Sequence, residues 1–150
     1  MPSQLGPINA SISFQGNIAC GGSASLVLNE DGTCTFNGSF HDSGLVSYDV
    51  SLAMVVTSTS GKAFTFAKTG HVSGTAALAG GGSNSRNFTW ADSAKNADVA
   101  AAWAELVAGS NSHWKADVNA SVVDVLNDVV TLVKAIQPVI TVVTAVIAAV

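Results

Sequence analysis

Apolar and polar side chains alternate with a period of two through most of residues 8 to 90, the pattern of strands with one buried face. Ile8, Ala10, Ile12 and Phe14 open the pattern; Gly21-Gly22 interrupts it, and Ala24, Leu26 and Leu28 resume it. Asp31-Gly32 predicts a type I′ hairpin, whose two central residues both need positive φ. Cys34, Phe36, Gly38 and Phe40 share one face of the returning strand, opposite Thr33, Thr35, Asn37 and Ser39. After the turn His41-Asp42-Ser43-Gly44 comes the longest alternation, residues 46–56, long enough to predict a bulge or bend. Residues 62–68, 71–78 and 87–90 read as further strands, separated by turns at Ser60-Gly61 and Thr69-Gly70 and a loop at Gly80-Gly81-Gly82-Ser83. About seven short strands predict a mainly β fold, an antiparallel β-sandwich over residues 1–92.

Past Trp90 the period changes. Val99, Trp103, Leu106 and Val107 recur at helical spacing, with Asp92-Ser93 and Asn96 as N-cap candidates and Gly109 placed as a stop. Trp114, Ala116 and Val118 return to the period of two, so residues 93–118 read as a helix and a short strand packed on the sandwich. From Asn119 the helical signal resumes. Val129, Leu132, Val133, Ile136, Ile140, Val143, Ile147 and Val150 fall on one stripe, with Asp124, Asn127, Asp128, Thr131 and Lys134 mainly opposite. Residues 119–150 are therefore predicted as a long apolar amphipathic helix, the second of two, kinked at Pro138. Its β-branched residues lower helix propensity and leave a strand over residues 139–146 as the alternative.

Charge sharpens the picture of that tail. Charged residues are 11 % of the chain, where about 25 % is usual, and mean hydropathy is +0.41. The net charge of −4 and pI near 5.0 leave no basic stripe to displace counterions, so no nucleic-acid partner is expected. Lys134 is the last charged residue, and only Gln137, Thr141 and Thr144 are polar after it. As a helix, the segment from Pro138 to Val150 reaches about 20 Å, short of a hydrocarbon core of about 30 Å. A permanent spanning helix fits poorly. The tail packs on the sheet or on other copies, or docks there until a membrane offers a better place. The expected partners are thus a second copy of the chain, with a lipid membrane or a glycan as further candidates. The opening Met-Pro-Ser-Gln-Leu-Gly-Pro has neither a basic nor an apolar signal region, so a cytoplasmic or non-classically secreted chain is expected. Cys20 and Cys34 are read as free thiols, because a bridge would need a sharp bend at Gly21-Gly22 to bring their Cα atoms within about 7 Å.

If consecutive strands are hairpin-linked, Cys20, His41-Asp42-Ser43 and Gly70-His71 gather at one end, with Asp92 following the final strand. His41, Asp42, Ser43, His71 and Trp90 are the candidate ligand rim. Imidazole, carboxylate and thiol there are the groups that hold Zn²⁺ or activate Ser43 or Cys20, and a metal or hydrolase site would use the same rim. The plainer reading is turn chemistry, in which Asp caps local amides and Gly takes positive φ. No nucleophile elbow, zinc-helix motif or Cys pair at metal spacing occurs, and Gly80-Gly81-Gly82 lacks the Lys of a phosphate loop. No catalytic residue, metal or cofactor is therefore assigned.

The run Leu26-x-Leu28-x-x-Asp31-Gly32-Thr33, the turn Phe40-His41-Asp42-Ser43-Gly44, Tyr48-Asp49, and Gly70-His71 through Gly74-Thr75 carry a resemblance, extended by Trp103. Over residues 16–118 the chain is similar to a group of small microbial β-sandwich proteins. The resemblance implies the sandwich fold; the group has no activity attached to it, so no functional residue carries over. The expected function is non-enzymatic: a membrane-active or self-assembling, toxin-like and pore-forming protein, whose sandwich recognises a surface while the C-terminal helix inserts or oligomerises. The alternative is a soluble, lectin-like module using the loops around His41 and His71.

Overall fold

The computed structural model describes residues 3–14, 16–75, 86–139 and 141–148. Among them run eight strands: β1 (Gln4–Ser13), β2 (Cys20–Asn29), β3 (Thr33–Asp42), β4 (Tyr48–Thr57), β5 (Lys62–Val72), β6 (Asn87–Lys95), β7 (Asn111–Val118) and β8 (Thr141–Ala148). Three helices accompany them: α1 (Ala97–Ala101), α2 (Trp103–Ala108) and α3 (Val122–Ile136). The fold is mainly β, in two four-stranded sheets ordered β1-β2-β3-β6 and β7-β4-β5-β8. All pairs are antiparallel except β5 with β8, which is parallel.

The predicted hairpin at Asp31-Gly32 forms, with a different turn. Only Gly32 has positive φ, at 92°, and its N–H donates to the Asn29 carbonyl at 2.9 Å. That is a three-residue loop with its glycine in the left-handed position, and Asp31 stays in ordinary backbone. The β4–β5 turn repeats the device at Gly61, φ 87°. The long alternation over residues 46–56 is trimmed to a ten-residue strand with continuous register on both sides. The predicted bulge is absent because Val46 lies outside the strand, exposed. Thr69-Gly70 does not turn: β5 runs straight through to Val72. Residues 76–78 of the predicted strand, and the glycine loop after them, lie outside the described residues.

Alternation sorts the core. Leu26, Leu28, Phe36 and Phe40 of the first sheet join Leu52, Met54, Phe64 and Phe66 of the second in one buried cluster. Trp90 lies over Gly38, where an added Cβ would stand 2.3 Å from the indole ring. The missing side chain is what makes room for the ring, which Phe36, Phe40 and Phe88 surround at centroid distances of 5.5, 5.8 and 5.7 Å. Asn96 caps α1 by accepting from the Asp98 and Val99 N–H groups, and Asp92-Ser93, the other predicted cap, is inside β6. Val99, Trp103 and Leu106 close the same core.

A second cluster lies on the far face of the second sheet. Ala53, Val55, Ala63 and Ala67 form a bed of short side chains on which α3 seats Val125, Val129 and Val133. Ser121 caps the helix by accepting from the Asp124 N–H at 3.1 Å, and Lys115 of β7 meets Asp128 of α3 at 2.6 Å.

The long kinked helix is not what the C-terminal segment forms. α3 stops at Ile136; Pro138, which has no N–H to continue the ladder, ends the helix instead of bending it. The β-branched run after it adds an edge strand to β5, where the Thr65 hydroxyl donates to the Val143 carbonyl at 3.1 Å. The predicted stripe is thereby divided. Val129 and Val133 are buried under α3, Leu132 and Ile136 stay 51 % and 60 % exposed, and Val143 packs on the main core. Ile147 stands in β8 opposite Ala67; Ile140 and Val150 lie outside the described residues. The helix faces the sheet with Val122, Leu126 and Val130 partly buried as well, which rotates Leu132 and Ile136 outward.

Candidate functional site

The ends of β3 and β5 and the starts of β2, β4 and β6 meet at one end of the molecule, and this brings His41, Asp42 and His71 to it. Strand parity then separates them. His41 follows Asn37 and Ser39 on the outer face of the first sheet, and its Nδ1 lies 2.7 Å from Asn87 Oδ1. With the amide oxygen accepting, Nδ1 carries the proton of the neutral ring. His71 follows Ala67 and Thr69 on the outer face of the second sheet, where its Nδ1 is 2.8 Å from Asp49 Oδ1, both side chains well exposed. An exposed pair of this kind contributes little to stability. The two sheets stand between the imidazoles, so they do not converge on one ligand.

Asp42 faces inward and is fully buried. Its Oδ1 accepts from the Gly44 N–H at 2.9 Å, closing the turn, while Oδ2 has no hydrogen-bond partner among the described residues. Ser43 gives both its N–H and its hydroxyl to the Ala19 carbonyl, at 2.8 and 3.1 Å, so its oxygen is spent on the main chain and not poised by a histidine. Cys20 is also buried on the inner side; burial first, and the Asp42 carboxylate second, push its thiol up to about 11. A thiol so reluctant to ionise is a poor nucleophile or metal ligand. Among the described residues, no group of three or more His, Cys, Asp or Glu side chains could hold a metal ion.

Trp90 of the predicted rim is elsewhere, as is Asp92, expected to follow the final strand at this end. Trp90, 7 % exposed, belongs to the core. Asp92, partway along β6 opposite Phe36, points between the sheets at Lys68, 3.3 Å away.

Sequence reasoning missed the residue that organises this end, Arg86. Its Nε donates to the Asp42 carbonyl at 2.7 Å, Nη1 to Thr75 Oγ1 at 2.6 Å and Nη2 to the Gly44 carbonyl at 3.0 Å. The Thr75 N–H adds a bond to the same Gly44 carbonyl at 2.9 Å. One guanidinium thus staples three chain segments. It is the chain's single arginine, and that was the available signal: a planar five-donor group is suited to tying several carbonyls at once. Asn119 was likewise missed; its Oδ1 accepts from the Asp49 N–H at 3.1 Å, and its φ of 55° turns the chain into α3.

Each imidazole borders its own open depression. The one beside His41, about 420 Å³, also has Ala19, Cys20 and Ser43 in its wall. That beside His71, about 410 Å³, is walled by Asp49, Asn119 and Ser121. Among the described residues, no helix is long and apolar enough to cross a membrane. No protein-family model, curated protein or solved structure matches the chain.

Proposed function

We propose that this is a non-enzymatic, self-associating protein, its two facing sheets forming a sandwich and its C-terminal segment supplying the contact between copies. One observation carries the reading. After folding, the C-terminal segment still exposes Leu132 at 51 %, Ile136 at 60 % and Val142 at 44 %, in a stretch whose last charge is Lys134. Covering apolar surface gains about 25 cal/mol per Å², and past Lys134 the segment carries no charge that a second copy would have to desolvate. A lipid surface would gain from the same side chains, but α3 and β8 are both docked on the chain's own sheet and would have to leave it first.

Size exclusion coupled to light scattering, on the full chain across a hundredfold dilution range, tests this. The expected result is a dimer or larger species in plain buffer that dissociates on dilution. A monomer throughout, combined with dye leakage from anionic vesicles, would move the function to membranes and overturn self-association.

A second reading, a glycan-binding module, draws on the hydrogen-bonding groups around the two depressions, Ser43 at one and Asp49, Asn119 and Ser121 at the other. It requires glycan-array binding that His41→Ala or His71→Ala abolishes.

A further inference from the structure

We propose that the outer edge of β8 is the joining strand: two copies pair β8 with β8, antiparallel across a two-fold axis, so that the second sheet runs on from one copy into the next. This rests on the self-association reading and names its contact.

Among the described residues four strands stand at sheet edges, β1, β6, β7 and β8. An edge offers a row of unpaired N–H and C=O groups to any passing strand, and folded proteins guard against that with charges, prolines, bulges or inward-pointing ionic groups. Three of these edges carry a proline or charges. β1 carries Pro7 and a register irregularity between Leu5 and Ile8. β6 turns Asp92 inward onto Lys68 and ends in Lys95. β7 bears His113, Lys115 and Asp117 along its length. β8 reads Thr-Val-Val-Thr-Ala-Val-Ile-Ala, with no charge, proline or glycine; its register against β5 shifts once, between Thr65 and Phe66, and β-branched residues of this kind suit a pleated, half-covered strand.

A second observation concerns the face beside that edge. α3 lies mainly over β4, β7 and β5, and Val142 on the outer face of β8 is exposed while Val143 packs on the core. A second β8 laid alongside would bring its own Val142 face to the uncovered strip between the two copies of α3. Pairing β8 with the charged edges of β6 or β7 would open a head-to-tail chain of copies; pairing like with like closes at two. Since a two-fold axis reverses strand direction, the new pair is antiparallel.

Two variants test this on the full chain. Val142→Lys puts a charge on the apolar strip that the joint would cover, where burying it without a partner is costly; dimerisation should weaken by about tenfold or more, with the thermal midpoint of the monomer little changed. The second measurement is a scan of single cysteines along β8 under mild oxidation. Cys20 and Cys34 are buried and free, so they stay silent. Antiparallel pairing predicts disulfide-linked dimers at one position near the axis, falling off on both sides.

Association that persists in Val142→Lys together with a flat cysteine profile would overturn the β8 joint and leave self-association standing. A parent chain that is monomeric at every concentration removes both. If Val142→Lys fails to fold, the cysteine profile alone decides.

Discussion

At Cys34 the thiol donates to the Gly32 carbonyl at 3.4 Å, and burial, with the Asp31 carboxylate second, pushes its pKa up from the ordinary thiol value of 9.0 to about 11. Cys20 is raised to about the same value. Folded-state values above the unfolded ones mean that stability is whole below pH 9 and is lost as pH rises through the folded values. Urea midpoints should therefore fall between about pH 9 and 11, and less steeply in the Cys20→Ala, Cys34→Ala double variant. Equal slopes in the two chains would show that the thiols ionise alike in both states. At this scale the sequence was partly legible. The two thiols were readable as free from the hairpin's reach, and they are free. His41 and His71 were readable as sharing one end, yet their strand parity, also visible in the sequence, turns them to opposite faces. Asp42 at an even position next to Phe40 had to point inward; reading the turn as one unit hid that. Arg86 gave no periodic signal, because its partners are carbonyls from segments distant in sequence.

Elements obey a different logic, in which the surface beneath decides. α3 holds close to the second sheet because Ala53, Ala63 and Ala67 lie under it, all fully buried. Ala67→Leu forces extra volume into that seat and should cost about 1–3 kcal/mol, read as a lowered urea midpoint with unchanged slope. A neutral result would mean that the helix rides higher than the geometry shows. The helix itself was legible from its apolar repeat and the strands from alternation. The end of the helix was not, since Pro138 fits either a kink or a stop and local pattern cannot choose. What chose was the open edge of β5, whose main-chain groups need partners and which a β-branched run could satisfy. The same competition settled Thr69-Gly70, a turn by composition but a strand once Ser51 and Val50 of β4 pair with it.

Between the two sheets, Lys68 and Asp92 form an inner ionic contact, 3.3 Å apart with 11 % and 28 % of their side chains exposed. Lys68 also lies 6.0 Å from the Phe88 ring centroid. Removing one partner strands the other in a low-dielectric setting, whereas replacing both with apolar groups is often neutral. Asp92→Asn or Lys68→Met alone should each destabilise by about 1–3 kcal/mol, while Lys68→Met with Asp92→Leu recovers much of that. Strictly additive losses in this double-mutant cycle would show that the pair is not coupled. The division into facing sheets was legible from strand count, but which strands share a sheet was not. That depends on β6 crossing to β3 and β7 crossing to β4, pairings between residues far apart in sequence that no local period records.

The parallel union of β5 with β8 also fixes an order of events. Thr65 and its partner carbonyl at Val143 are 78 residues apart, and ribosomes add about 5–20 residues per second. For several seconds a nascent chain holds β4 and β5 complete while the flank that β8 will occupy is bare. During that interval a β8 segment from a neighbouring, further-advanced chain can fill the place first, giving exchanged strands in crowded translation where dilute refolding would give intact ones.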